Sequence, residues 1–154
     1  MKKSHIYTDT SVIGGCLDKE FQVGSEALFE RFESGSAIMM LSDLTLSELE
    51  NAPPRVQNVL NRVPDENTRY VELTTEARQL ADNYLSDGVV SPKNQADARH
   101  IGIATIHRAD VLVSWNFKHI VNLERIRGYN AVNLRQGYSI LEIRTPLEVL
   151  RYEY

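Results

Sequence analysis

The chain has 154 residues, a net charge of −4 and an apolar fraction of 42%, which suits one domain over residues 1–154 that buries about two thirds of its unfolded surface. No apolar run approaches the roughly 20 residues of a membrane span, and Met1-Lys2-Lys3 is not followed by the apolar stretch of a secretory signal. The lone Cys16 excludes an internal disulfide, so a cytoplasmic protein with no membrane contact is expected.

The elements follow in chain order. Ile6-Tyr7-Thr8 and Thr10-Ser11-Val12-Ile13 are β-branched and apolar up to Gly14-Gly15, the pattern of a buried strand that contains Asp9 and ends in a turn. Gly24-Ser25 opens a helix through Phe32, with Gly35 as its stop. Ala37-Ile38-Met39-Met40-Leu41 reads as a second strand, and Leu44, Leu46, Glu48 and Leu49 lie on a helix that Pro53-Pro54 breaks. Arg55 to Val63 suits another short helix, Arg69 to Leu73 a third strand, and Thr74-Thr75 caps a helix through Leu85. Asn94 begins a helix with Ala98, Ile101 and Ala104 at helical spacing, and Val111 to Trp115 is a fourth strand. Phe117 to Arg127 reads as helix and Ser139 to Ile143 as a last strand. Strands alternating with helices predict an α/β domain with a mainly parallel sheet and right-handed crossovers, the first strand lying centrally.

Such sheets place their working site beyond the carboxyl ends of the strands. Asp9, Glu48 and Asp97 fall where that end could collect them. Three carboxylates meeting at one place need a compensating cation, and hard oxygen donors suit Mg²⁺ or Mn²⁺. An ion of that kind can polarise a phosphoryl oxygen and make a hydroxide-like nucleophile available at neutral pH. Each acid also has a structural reading. Asp97 stands three residues after Asn94 and Glu48 three after Thr45, the spacing of a capping box, and Asp9 beside Thr10 and Ser11 suits an Asx turn. Spacing alone leaves both readings open.

Tyr7-Thr8-Asp9-Thr10-Ser11-Val12-Ile13 resembles the opening segment of PIN-domain nucleases, in which an acid precedes Thr, a small polar residue and apolar residues. Leu44-Thr45-Leu46-Ser47-Glu48-Leu49 and Asp97-Ala98-Arg99-His100-Ile101-Gly102-Ile103-Ala104-Thr105 are similar to the family's second and third acidic elements. Ala109 to Ile120 is similar to the next strand and turn, so the likeness spans about residues 6 to 120 in the family's order. The resemblance implies a three-layer α/β/α sandwich and an Mg²⁺- or Mn²⁺-dependent endonuclease acting on RNA. Asp9, Glu48 and Asp97 would be its metal-binding residues. Many bacterial members are toxins of the VapC kind, so a type II toxin, a cognate antitoxin and a homodimer are also implied. One departure stands out: many members carry a fourth acid in the turn after the fourth strand, where this chain has Asn116. Asn offers a carbonyl oxygen but no charge, which weakens the case for a second ion. Asp110 precedes the strand and belongs to its far end.

Several other residues have two readings. Ser11 and Thr10 could hydrogen-bond the acids, Ser11 being the better supporting residue. Lys118 and His119 could contact phosphate, and His119 could relay a proton. Arg99 and His100 read more readily as solvated side chains, Trp115 as a packing residue and Cys16 as inert. A negative net charge is unusual for a protein that holds nucleic acid by phosphate neutralisation alone, so bound cations or a local basic patch must offset the acids. Two other functions share this pattern. A phosphatase with Asp9 as nucleophile needs a second acid two residues on, where Ser11 stands. A binding module that kept the fold and lost turnover is consistent with Asn116.

Overall fold

The computed structural model describes residues 2–152, and the outermost residues of the expected 1–154 domain lie outside them. Five strands form one sheet: β1 (His5–Thr8), β2 (Ile38–Ser42), β3 (Thr68–Val71), β4 (Val111–Val113) and β5 (Ile143–Arg144), in the order β3-β2-β1-β4-β5. Every neighbouring pair is parallel, so β1 is central as the alternation predicts. The helices are α1 (Thr10–Gly15), α2 (Gln22–Ser34), α3 (Asp43–Leu49), α4 (Pro54–Leu60), α5 (Thr75–Ser86), α6 (Gln95–Ile106), α7 (Leu123–Arg135) and α8 (Pro146–Arg151).

Side chains on a strand alternate between its two faces, and here they divide the core in two. Tyr7, Met40 and Leu112 face one hydrophobic cluster with Ala77, Leu80 and Tyr84 of α5, Ile101 of α6 and Tyr129 of α7. Ile6, Met39, Leu41, Val111 and Val113 face the other, with Ile13, Phe29, Phe32 and Val149. A sheet buried on both faces needs strands that are apolar throughout, which is why the first, second and fourth strands are legible as apolar runs. Fully burying a side chain such as Phe29 or Phe32 stabilises by roughly 1.5–3 kcal/mol. The result is the expected three-layer α/β/α arrangement with a parallel sheet.

Three segments differ from their expected form. Thr10–Gly15 is a helix, because the Asp9 carboxylate caps it by accepting from Val12 N. Local capping thereby overrides the β-branched content of Thr10, Val12 and Ile13. Asp9 is therefore the residue between β1 and α1, and not part of a strand. Phe117–Ile120 is a turn rather than the start of a helix: the Asn116 side-chain oxygen accepts from Lys118 N and His119 N, and Asn122 caps α7 by accepting from Arg125 N. The last strand is two residues long and lies at Ile143–Arg144.

Two glycines permit close approaches around the carboxyl edge of the sheet. A Cβ at Gly102 would lie 2.7 Å from the Ala77 carbonyl oxygen, so α6 seats on α5 only through hydrogen. Gly15 likewise lies against the indole of Trp115, whose Nε1 would be 2.8 Å from an added Cβ.

Candidate active site

In a parallel sheet with helical crossovers, every strand ends, and every crossover helix begins, at the same edge. Asp9 follows β1, Ser42 and Asp43 link β2 to α3, Ser114 to Asn116 follow β4, and Asp97 lies in the first turn of α6. Asp9, Glu48, Asp97, His100 and Asn116 all line one concavity of about 340 Å³ at this edge. A groove of about 360 Å³ between α3, α4 and β3 is lined by apolar residues such as Leu41, Leu46 and Leu49 and by polar ones such as Glu50, Gln57 and Asn58, and contains none of the three acids.

Asp9 is 4% exposed. Ser11 Oγ donates to its Oδ1 at 2.6 Å and Ser114 Oγ to its Oδ2 at 2.7 Å. Ser11 Oγ accepts in turn from Trp115 N at 3.0 Å, and Ser114 Oγ from Asn116 N at 2.9 Å. The Asp9 pKa is nonetheless raised. Burial is the largest cause, opposed by the charge of His100 and by the bonds from Ser11, Ser114 and the Val12 amide.

Glu48 stands at the far end of α3. Its Oε1 accepts from Thr10 Oγ1 at 2.5 Å and pairs with His100 Nε2 at 2.8 Å. Burial acts to raise the Glu48 carboxyl, but the His100 bond and charge and the Thr10 hydroxyl outweigh it, and the net shift is downward. The capping-box reading of Glu48 is not realised, since Ser42 caps α3 by accepting from Thr45 N.

Asp97 is held more lightly. Asn116 Nδ2 donates to its Oδ1 at 3.4 Å. Asn94 makes no side-chain capping bond, so no capping box forms around Asp97. Its pKa is raised by burial first; the charges of His100 and His119 oppose this and those of Asp9 and Glu48 add to it. Mutual repulsion of the acids is therefore already expressed.

His100 overturns the expectation of a solvated side chain: it is 3% exposed. Its Nδ1 lies 2.6 Å from the Tyr7 hydroxyl, which lies 2.8 Å from Ser42 Oγ. Lys118 is exposed, whereas His119 is half-buried and its Nδ1 has no hydrogen-bond partner. Arg99 is half-buried and its Nε likewise has none. Trp115 is a packing residue, 6% exposed and stacked on Phe21 at 4.7 Å between ring centroids. Cys16 is buried, and its thiol is pushed up to about 12, mainly by that burial. Asp110 accepts from His5 N at the start of β1, the opposite edge of the sheet. The sequence does not single out Ser114 or Tyr7. Ser114 carries a signal in hindsight, since a small hydroxyl at a strand's end is suited to bond an acid at its neighbour's.

The donor chemistry fits a hard dication. Three carboxylates share one concavity, which Asn116 also lines with its amide nitrogen toward Asp97 and its oxygen turned to the Lys118 and His119 amides, and Asp9 and Asp97 have no Lys or Arg ion pair among the described residues. No ready-made cage is present: among the described residues no three His, Cys, Asp or Glu side chains are gathered tightly enough to enclose an ion. Several carboxylate lone pairs accept instead from the hydroxyls of Ser11, Ser114 and Thr10.

Five parallel strands between helical layers, with acids gathered at the carboxyl edge of the central strand, define a PIN-like fold. No protein-family model matches the sequence, and no curated protein matches it. Solved structures do match in fold. The chain is similar to VapC20 of Mycobacterium tuberculosis, a sarcin-ricin loop cleaving toxin, at 13% identity and a TM-score of 0.57, over 74% of this chain and 92% of that one. It is also similar to VapBC2 from Rickettsia felis, solved bound to a DNA fragment from their promoter, at 16% identity and a TM-score of 0.58, over 90% of this chain and 98% of that one. At such identities the likeness is one of architecture, and chemistry has to be argued from the site.

Proposed function

We propose that this chain is a PIN-type endoribonuclease that hydrolyses phosphodiester bonds in single-stranded or looped RNA with Mg²⁺ or Mn²⁺. We further propose that it is the toxin of a type II pair, a homodimer restrained by a cognate antitoxin. One observation carries the reading: Asp9, Glu48 and Asp97, far apart in sequence, line one concavity with Asn116 at the carboxyl edge of a PIN-like sheet. The sarcin-ricin loop cleavage of VapC20 supports RNA as substrate, and the VapBC2 assembly supports an antitoxin partner.

Hydrolysis joins a water oxygen to phosphorus and releases the leaving oxygen, which takes up a proton. A dication held by Asp9, Glu48 and Asp97 would supply Lewis acidity and offset the charge on the phosphoryl oxygens. The chain's own part is to orient these acids. Ser11 and Ser114 hold Asp9, and Thr10 and His100 hold Glu48. Asn116 contributes an amide beside Asp97, and exposed Lys118 and half-buried His119, which follow it in the same turn, would meet phosphate.

The test is incubation of purified protein with mixed single-stranded RNA in Mn²⁺ or EDTA, beside Asp9→Asn. Cleavage is expected in Mn²⁺ alone, with a loss on the order of 10³-fold in the variant. RNA binding without cleavage by either protein would replace the enzyme with a binding module. In cells, induced expression should arrest growth and Asp97→Asn should relieve the arrest; equal growth of both strains would remove the toxin assignment and leave the nuclease.

A further inference from the structure

Among the acids, Glu48 is the one whose two oxygens differ most. Oε1 takes both donors, Thr10 Oγ1 and His100 Nε2, while Oε2 accepts no hydrogen bond among the described residues. A carboxylate can only accept, so the Nε2 proton of His100 is directed at Glu48 whichever form the imidazole takes. The ring is in turn anchored from behind: Nδ1 meets the Tyr7 hydroxyl, and Tyr7 is fully buried and meets Ser42 Oγ, which bonds Thr45 Oγ1 at 3.1 Å. Tyr7 stands on the central strand, Ser42 at the end of β2 and His100 on α6. This chain thus ties the Glu48 carboxylate to three elements of the fold.

We infer that His100, backed by Tyr7, is a positioning residue that confines Glu48 to offering one oxygen, and that this makes the site prefer small octahedral dications to Ca²⁺. The inference rests on the metal-dependent reading above. Mg²⁺ and Mn²⁺ accept single oxygens in near-octahedral array, whereas Ca²⁺ takes six to eight oxygens and readily draws a carboxylate in through both. With Oε1 engaged by two donors, bidentate coordination by Glu48 requires displacing at least one of them. Residues that orient a ligand in this way commonly change affinity by about 10–100-fold when replaced.

The experiment measures Mn²⁺ and Ca²⁺ affinities of the whole chain by calorimetry, without RNA, with thermal melts to confirm folding. His100→Gln keeps an amide N–H near the place of Nε2, His100→Asn keeps only the Tyr7 side, and Tyr7→Phe removes the backing hydroxyl without touching Glu48. Relative to the parent, His100→Asn is expected to lower the Mn²⁺ preference over Ca²⁺ by about tenfold, Tyr7→Phe by less, and His100→Gln to recover most of it. A parent that binds Mn²⁺, with the same preference in all folded variants, would overturn the positioning role and leave the nuclease reading intact. The same preference in a folded Tyr7→Phe alone overturns it if both His100 variants fail to fold. A parent that binds neither ion and cleaves no RNA would remove both.

Discussion

The two ends of the acid cluster are built differently. Asp9 is enclosed, with both oxygens accepting from Ser11, Ser114 and the Val12 amide. Asp97 is partly open and has one long bond, from Asn116. The first corner is assembled from the ends of β1 and β4, adjacent strands whose register pairs Thr8 with Val113 and so brings Ser114 beside Asp9. The second hangs on the first turn of α6, whose place depends on how that helix seats on α5. The sheet therefore supplies a rigid corner and the helix an adjustable one. A site that must admit an ion and a phosphate benefits from having both, because a wholly rigid acid cluster would keep its repulsion and a wholly loose one would lose its geometry.

The largest expected effect comes from disturbing that helix seat. Gly102→Ala places a methyl 2.7 Å from the Ala77 carbonyl, a backbone atom that cannot turn aside. The cost expected is about 1–3 kcal/mol, read as a fall of several degrees in Tm, together with weakened Mn²⁺ binding. Amide exchange should show Val12 N still protected, because the Asp9 corner does not depend on α6. Gly15→Ala does the reverse: it crowds Trp115 and Ser25, so it should alter Trp115 fluorescence and expose the Val12 amide. If both variants loosened both corners equally, the distinction between sheet-held and helix-held acids would fail.

A smaller effect is expected from restoring the missing charge. Asn116→Asp adds a carboxylate beside Asp97, where the loose corner can adjust to it. Affinity for dications rises with ligand charge, so Mn²⁺ binding should strengthen on the order of tenfold, while the metal-free protein should melt lower because repulsion at Asp97 grows. Unchanged titration isotherms would show that position 116 does not face the ion.

The same division decides how much of the molecule is legible in its sequence. The central place of the first strand and the parallel order are readable because Ile6 to Thr8, Ile38 to Leu41 and Val111 to Val113 are apolar on both faces. The Asp9 segment reads as a site but also, wrongly, as a strand, since Thr10, Val12 and Ile13 favour β structure and only the Asp9–Val12 cap shows otherwise. The role of His100 is not readable at all. It follows Asp97, Ala98 and Arg99 in a polar helix start, and the group that explains its burial, the Tyr7 hydroxyl, is 93 residues away. Local pattern reports periodicity and caps. It does not report which buried polar groups will meet across a sheet.

The smallest expected effect is also the most direct reading of the two corners. Both acids have pKa values raised chiefly by burial. A carboxyl raised on folding favours the folded state only while protonated: its contribution is fully present below the ordinary carboxylate range near pH 4 and is lost as pH rises through the folded value. At neutral pH without metal, both acids therefore oppose folding. Asp97→Asn removes that opposition at the cost of one long hydrogen bond, so Tm in EDTA should rise by about 1–3 °C at pH 7, with the gain shrinking as pH is lowered toward 4. Asp9→Asn should give no comparable gain. Three donors already face its oxygens, and an amide nitrogen put in place of one oxygen would turn a donor toward a donor. Mn²⁺ should raise the Tm of the parent by mass action and leave that of Asp97→Asn nearly unmoved. Equal gains from the two substitutions in EDTA would mean that the three donors around Asp9 lessen the cost of its burial no more than the single bond does at Asp97, and that the enclosed corner is no better prepared to hold charge than the open one.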